Sequence, residues 1–446
     1  MDCNPRLQVG QQLFEFFTKP EKPDESGGDV AAPLLLKKFG KLIRYNNDDL
    51  TEQGDLTLAA IPRYWQKYLK SQGLKLRIDG DELLPSPVDR LELMEHSRKW
   101  RFPLAEITVL NKERYSLRFQ RHPIIAHVLN SVLTLRGDYG RSANNNQSRT
   151  ICLQLQAVVG AVDGGQDLRH YRLQQLYKIL LRLVDYSSWR LVEPNDRQKD
   201  TICVTVELEK CCNGKQPVEH VCLTCGPVLE PINKGASSLT VDEYLKLRCQ
   251  HMELMATQRS GMCPVPMSSL DTLTKRLAAA AVIVDLFVVR HSSAVSVVRN
   301  GVGICKGASY ILYNSARLEA LLRKFNYEVN NCAYEKLPLL DEIDLSVLED
   351  DVDWELIYGY LLTFPELMES IMDQLDQGHC GLHLLVHYVE NLAAAFSRFY
   401  YHKKVLLQKR DELMPILYAR IYLIKAVRQV LNTALAVLGI EPVDYV

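Results

Sequence analysis

Apolar residues recur at helical spacing through the C-terminal stretch from Leu382 to Ile440. In its first half Leu382, Leu385, Val389, Leu392, Ala393, Phe396 and Phe399 fall on one helical face. In its second half Ile424, Val427, Leu431, Leu435 and Leu438 make the buried stripe. Pro415 suits a first helical turn, and Asp411 and Glu412 lie just upstream, where a helix dipole favours acid. Gly439 followed by Ile440 reads as a left-handed stop with a hydrophobic contact after it. The pattern predicts two long helices joined by a basic connector.

Earlier segments are shorter and mixed. A helix is predicted over 4–18, then a loop through KPEKPDESGGD. A second helix is predicted from Leu56 to Leu69, ahead of Gly73. Residues 104–110 and 115–119 favour strand, and Pro123 opens a helix. The polar run GRSANNNQSR (140–149) marks a domain boundary. Strands are expected near 150–157, 189–193, 201–208 and 219–229, with a long helix from Leu168. Helices follow at 270–290 (apolar nearly all round, hence buried), at 307–325, and in WELIYGYLL and FPELMESIMDQL. The fold class is therefore α+β, mostly α.

Composition adds limits. The 446 residues have room for two or three domains. No uninterrupted apolar run has spanning length, and the start lacks a signal-peptide core, so a soluble chain is expected. Twelve cysteines without a secretory signal read as reduced, mostly buried thiols, with the cytoplasm as compartment. Net charge is −1, so nucleic-acid affinity must come from local patches.

One such patch is present. From Asn391 to Arg428 there are eight basic residues, Arg398, Lys403, Lys404, Lys409, Arg410, Arg420, Lys425 and Arg428, against two acids. Tyr400, Tyr401, His402 and Tyr422 are interleaved. Cations beside exposed rings suit RNA, because the cations neutralise phosphates and the rings stack on unpaired bases. A solvated face on an ordinary bundle is the other reading. Asp341 to Glu355 is the converse, with eight acids and no Lys or Arg. It reads as a solvated linker or as a docking strip for a basic partner protein. Cys211, Cys212, Cys222 and Cys225 could together hold zinc. Against that, Cys222 falls in a strand pattern and adjacent cysteines are a poor chelating pair, which favours inert thiols.

The segments LAAAFSRFYYHKKVL (392–406) and RIYLIKAVRQVLNTALAVLGI (420–440) resemble the anticodon-binding helical domain of arginyl-tRNA synthetases. The tetrapeptide Asp-Ala-Leu-Arg that names it falls on Lys425-Ala426-Val427-Arg428. Tyr310, Tyr313, Ala316 and Arg317 match the family's entry to that domain. The nucleotide signatures depart from the family. At His-x-Gly-His-Leu-Arg this chain has Asp167-Leu168-Arg169-His170-Tyr171-Arg172, and the second signature keeps only Lys234. About 60 residues separate the two, too few for a full doubly wound domain whose βαβ units each take roughly 30.

The resemblance thus implies three domains. They are a small N-terminal α+β domain (1–138), a shortened Rossmann-like middle domain (149–300) and an all-α DALR bundle (301–446). The combination is similar to the DALR anticodon-binding domain-containing protein 3 family. It implies a non-catalytic chain that needs no cofactor, binds arginine tRNAs and delivers them to a methyltransferase forming 3-methylcytidine. The expected tRNA contacts are Arg317, Arg323, Lys324, Arg398, Tyr401, His402, Lys403, Lys404, Arg420, Lys425 and Arg428. An active synthetase-like enzyme and a protein-binding scaffold without RNA contact are the competing readings.

Overall fold

Asn4 opens the first helix, α1 (Pro5–Phe17), by accepting the Arg6 N–H at 2.9 Å, and Pro5 takes the first turn. The computed structural model describes residues 4–20, 42–70, 73–78, 80–142, 149–156, 166–196, 200–208, 220–231, 234–259, 267–297 and 307–443. The chain is mostly helical with short strands. It divides into two compact units. The first gathers Met1–Ser131, Leu337–Leu362 and Leu407–Leu423; the second gathers Val132–Lys336, Thr363–Leu406 and Ile424–Val446.

In the first unit β1 (Thr18–Pro20) pairs with β4 (Leu74–Leu76). A four-stranded antiparallel sheet has the order β2-β3-β6-β5. Its strands are β2 (Ile43–Tyr45), β3 (Leu56–Ala59), β5 (Leu104–Asn111) and β6 (Arg114–Phe119). The helix expected from Leu56 is corrected here: Leu56–Ala59 is a strand, and the helix begins only at Pro62 (Pro62–Leu69). Leu58 pairs with Ile43 on one side and Tyr115 on the other, so cross-strand partners decide the conformation. Val9, Leu13, Phe17, Leu56, Trp65 and Leu117 form the core.

Residues 351–361 are bound into this unit by charge. The Asp55 carboxylate has no exposed surface; it pairs with Arg121 and accepts the Phe119 N–H at 2.7 Å. The Arg121 guanidinium lies over the Trp354 ring at 4.0 Å and the Tyr358 ring at 4.9 Å. Arg6 donates to the carbonyls of Asn46 (2.9 Å) and Tyr358 (3.0 Å). WELIYGYLL is helical as expected, but Glu355–Leu361 winds as a π-helix, wider than an α-helix.

The second unit holds a parallel sheet of order β10-β9-β7-β8. Its strands are β7 (Thr150–Leu155), β8 (Arg190–Leu191), β9 (Ile202–Glu207) and β10 (His220–Thr224). Helix α6 (Leu168–Tyr186) packs on β7, β8 and β9. The register puts Leu153, Val204, Val206 and Leu223 on one face, and Gln154, Cys203, Thr205, His220 and Cys222 on the other. A doubly wound sheet reads apolar on both faces. This one does so on a single face, as a reduced version would.

Four long helices matter below: α8 (Met267–Phe287), α9 (Gly307–Asn330), α12 (Leu382–His402) and α13 (Met414–Leu438), the last divided between the two units after Leu423. Every apolar position named above for α12 and α13 is buried. Each such side chain contributes about 1.5–3 kcal/mol. Gly439 has φ +74°, and the Ile440 N–H donates back to the Leu435 carbonyl at 2.9 Å, the left-handed stop expected there. Asp411–Leu438 is long and apolar enough to cross a membrane by length and composition, yet most of it is buried in the protein, as in a core helix.

Candidate nucleic-acid interface

The backbone at Gly307 lies against Glu390, and the Arg317 guanidinium lies 4.4 Å from the Tyr400 ring centre. Both contacts join α9 to α12 with one sequence offset, so the two helices run side by side in the same direction. Arg317 also sits 4.5 Å from the Tyr313 ring and donates to its hydroxyl at 2.7 Å. Two rings thus sandwich one cation, which ties the helices together and uses up most of that cation's faces. Arg317 is half-buried, so its first job is positional.

Beyond this clamp the end of α12 opens to solvent. Tyr401 is 86% exposed, the largest value among the exposed apolar and aromatic side chains described, and the His402 ring meets its edge at 5.2 Å. Arg398, His402 and Lys404 are exposed and Lys403 is half-buried. On α9, Arg323, Lys324 and Tyr327 are exposed, Tyr327 at 65%. The cations stand beside open aromatic faces, the arrangement that backbone neutralisation and base stacking require.

Three expected members are placed differently. Arg428 is half-buried and pairs with Glu319 of α9 at 3.2 Å. Lys425 is half-buried, and burial, then the Arg428 charge, holds its amine below the usual lysine range. Arg420 belongs to the first unit, where it faces Asp353. Burial pushes the Asp353 carboxyl up to about 6, with Arg420 opposing. Tyr422 is committed too, donating to the Pro338 carbonyl at 2.7 Å. The basic face is therefore narrower than the charge count suggested. In the acidic stretch, Asp341, Glu342, Asp344, Glu349, Asp350 and Asp351 are exposed, and Asp351 accepts the Thr51 hydroxyl at 2.7 Å.

At the first nucleotide signature, Asp167 caps α6, accepting the His170 N–H at 2.9 Å and contacting its ring nitrogen. Burial raises the Asp167 carboxyl, but the His170 contacts outweigh it and hold it below the usual carboxylate range. Arg169 donates to the Leu208 carbonyl at 2.9 Å. So Asp167, Arg169 and His170 each make polar contacts within the fold. Lys234, from the second signature, is exposed with φ +52°. Cys211 and Cys212 lie outside the described residues. Cys222 is half-buried and Cys225 buried, its thiol pushed up to about 11 by burial.

Sequence reasoning missed Arg172. It is fully buried and donates to four carbonyls: Leu286 (2.9 Å), Gly226 (3.0 Å), Ser293 (2.8 Å) and Arg290 (3.2 Å). It fastens α6 to the turn after α8.

Comparison with known proteins agrees with this geometry. Residues 311–446 match the DALR anticodon binding domain model. DALR anticodon-binding domain-containing protein 3 of Mus musculus is 26% identical over 243 residues, covering 52% of this chain and 44% of that protein. The Danio rerio protein of that name is 25% identical, covering 49% and 40%. The chain thus matches less than half the length of these relatives. Arginine–tRNA ligase of Treponema pallidum is 32% identical over 126 residues, covering 28% and 19%. Among solved structures, arginyl-tRNA synthetases of Thermus thermophilus and Plasmodium falciparum each superpose with TM-score 0.56 at 11% identity. Each alignment covers 93% of this chain and 98% of the synthetase chain, which shows a shared fold. Residues 311–446 match a DALR anticodon binding domain, in a chain that is similar to DALR anticodon-binding domain-containing protein 3 and has the fold of arginyl-tRNA synthetases.

Proposed function

We propose that this chain is a non-catalytic tRNA-binding adaptor of the cytoplasm. The observation that carries the reading is the open end of α12, where Tyr401 and His402 stand among Arg398, Lys403 and Lys404. Splayed bases of an anticodon arm stack on Tyr401, each such stack being worth roughly 1–3 kcal/mol. Arg398, Lys403 and Lys404, with Arg323 and Lys324 from α9, neutralise the backbone. The adaptor part of the reading is supported by Asp167, Arg169 and His170, which are engaged in capping and bracing. The finer part is that the RNA is an arginine tRNA and that the chain presents it to a methyltransferase forming 3-methylcytidine. It is supported by the family resemblance of the sequence. The exposed acids from Asp341 to Asp351 are the surface we assign to that partner.

The experiment is charge reversal at the tip. Lys403→Glu with Lys404→Glu is expected to weaken tRNA binding at least tenfold and to make its salt dependence shallower, because fewer counterions are released. Binding constants measured across salt concentrations decide it. Unchanged affinity and slope would rule this surface out.

A further inference from the structure

The exposed stripe of α12 does not end at its basic tip. At 3.6 residues per turn, His383, His387, Asn391, Arg398 and Tyr401 share one face, and each is exposed or half-buried. The stripe runs roughly 28 Å from His383 to His402 at about 1.5 Å per residue.

The far end of the stripe carries its own cationic group. The His383 and His387 rings meet edge to face at 6.4 Å. Burial first, then the charges of Arg290 and His387, hold the His383 imidazole below its ordinary range. The His383 Nδ1 atom is buried and has no hydrogen-bond partner. Arg290, in the turn after α8, is exposed. Glu390 lies close by, 3.4 Å from His387 Nδ1. Beneath them His291 is a fixed strut. Its Nε2 accepts the Cys380 N–H at 3.2 Å, so its Nδ1 donates to the Thr224 carbonyl at 2.9 Å. Burial, with Arg172, His379 and His383 adding, pushes it down to about 4, and it stays neutral under ordinary conditions. His383 and His387 share this end of the helix with Arg290 and Glu390.

We propose that the RNA track runs the length of α12, and that Arg290, His383 and His387 take a backbone phosphate at its N-terminal end, so that binding tightens as pH falls. The proposal rests on the RNA-binding reading. A phosphate would meet the exposed His387 ring and the exposed Arg290 guanidinium, and would replace the like-charge repulsion on His383 with attraction. Protonation and binding are then linked: a one-unit rise in one imidazole's pKa on binding equals about tenfold in affinity at low pH.

The test is tRNA affinity at about pH 8 and about pH 6, at fixed ionic strength. Wild type is expected to tighten about three- to tenfold on acidification. His383→Gln with His387→Gln is expected to lose most of the gain, read as the ratio of affinities at the two pH values. A wild-type affinity that ignores pH, or a gain that survives in the paired variant, overturns the proposal. Should the paired variant bind poorly even at high pH through misfolding, Arg290→Gln decides. It is expected to weaken binding about threefold at both pH values, and no change there overturns the proposal as well. Wild type that binds no tRNA at either pH would sink the RNA reading itself, and this inference with it.

Discussion

Arg121→Met is expected to cost the first unit about 3–5 kcal/mol, because it strands a buried carboxylate. Asp55 has no exposed surface and one remaining donor, the Phe119 N–H, once Arg121 is gone. Burial already pushes its carboxyl above the usual range against the pull of Arg121. Removing the cation also takes the guanidinium off the Trp354 and Tyr358 rings. Adding Asp55→Asn should return part of the loss, since the orphaned charge disappears with it. Denaturant titration followed by tryptophan fluorescence reads both, Trp65 and Trp354 lying in this unit. A loss under about 1 kcal/mol in the single variant would show that the pair does not hold 351–361 in place.

Arg172→Met is the second large effect. The substitution keeps an unbranched apolar stem but removes the guanidinium and with it every donor. Four buried carbonyls, on Leu286, Arg290, Ser293 and Gly226, then lack their partner. Each buried acceptor left unpaired costs about 1–3 kcal/mol, so a total of at least about 3 kcal/mol is expected even if water reaches some of them. Arg172→Lys should recover only a fraction, because one ammonium cannot span four acceptors set around a planar fork. Amide hydrogen exchange locates the damage. Protection should fall in the turn 288–293 and at Cys380, whose N–H is held by His291. Full protection at both places would contradict this role.

The last two long helices were legible because their signals are local. A repeating apolar face, acids upstream and a glycine stop suffice, and Gly439 adopts the left-handed conformation its position implied. Leu56–Ala59 was illegible for the opposite reason. Four apolar-rich residues carry no period, and their strand partners lie at 43–45 and 114–117. The π winding of Glu355–Leu361 left no trace in the pattern either. Among the candidate site residues, Tyr401, His402 and Lys404 are exposed at the end of α12. Arg428 and Arg420 counted equally in the sequence, yet Glu319 and Asp353, distant along the chain, take up their charge. Arg172 figured in the sequence only as the last position of the stretch aligned with the first nucleotide signature. Its acceptors are backbone atoms more than fifty residues away, and backbone leaves no signature in side-chain identity.

The adaptor reading needs the tip of α12 to hold RNA through its charge. Titration of the intact protein with an arginine tRNA across salt concentrations measures that directly. The account predicts binding that weakens steeply, more than tenfold between about 50 and about 200 mM salt, with a log–log slope near −0.7 to −0.9 for each phosphate contacted. No binding, or an affinity indifferent to salt, would contradict it.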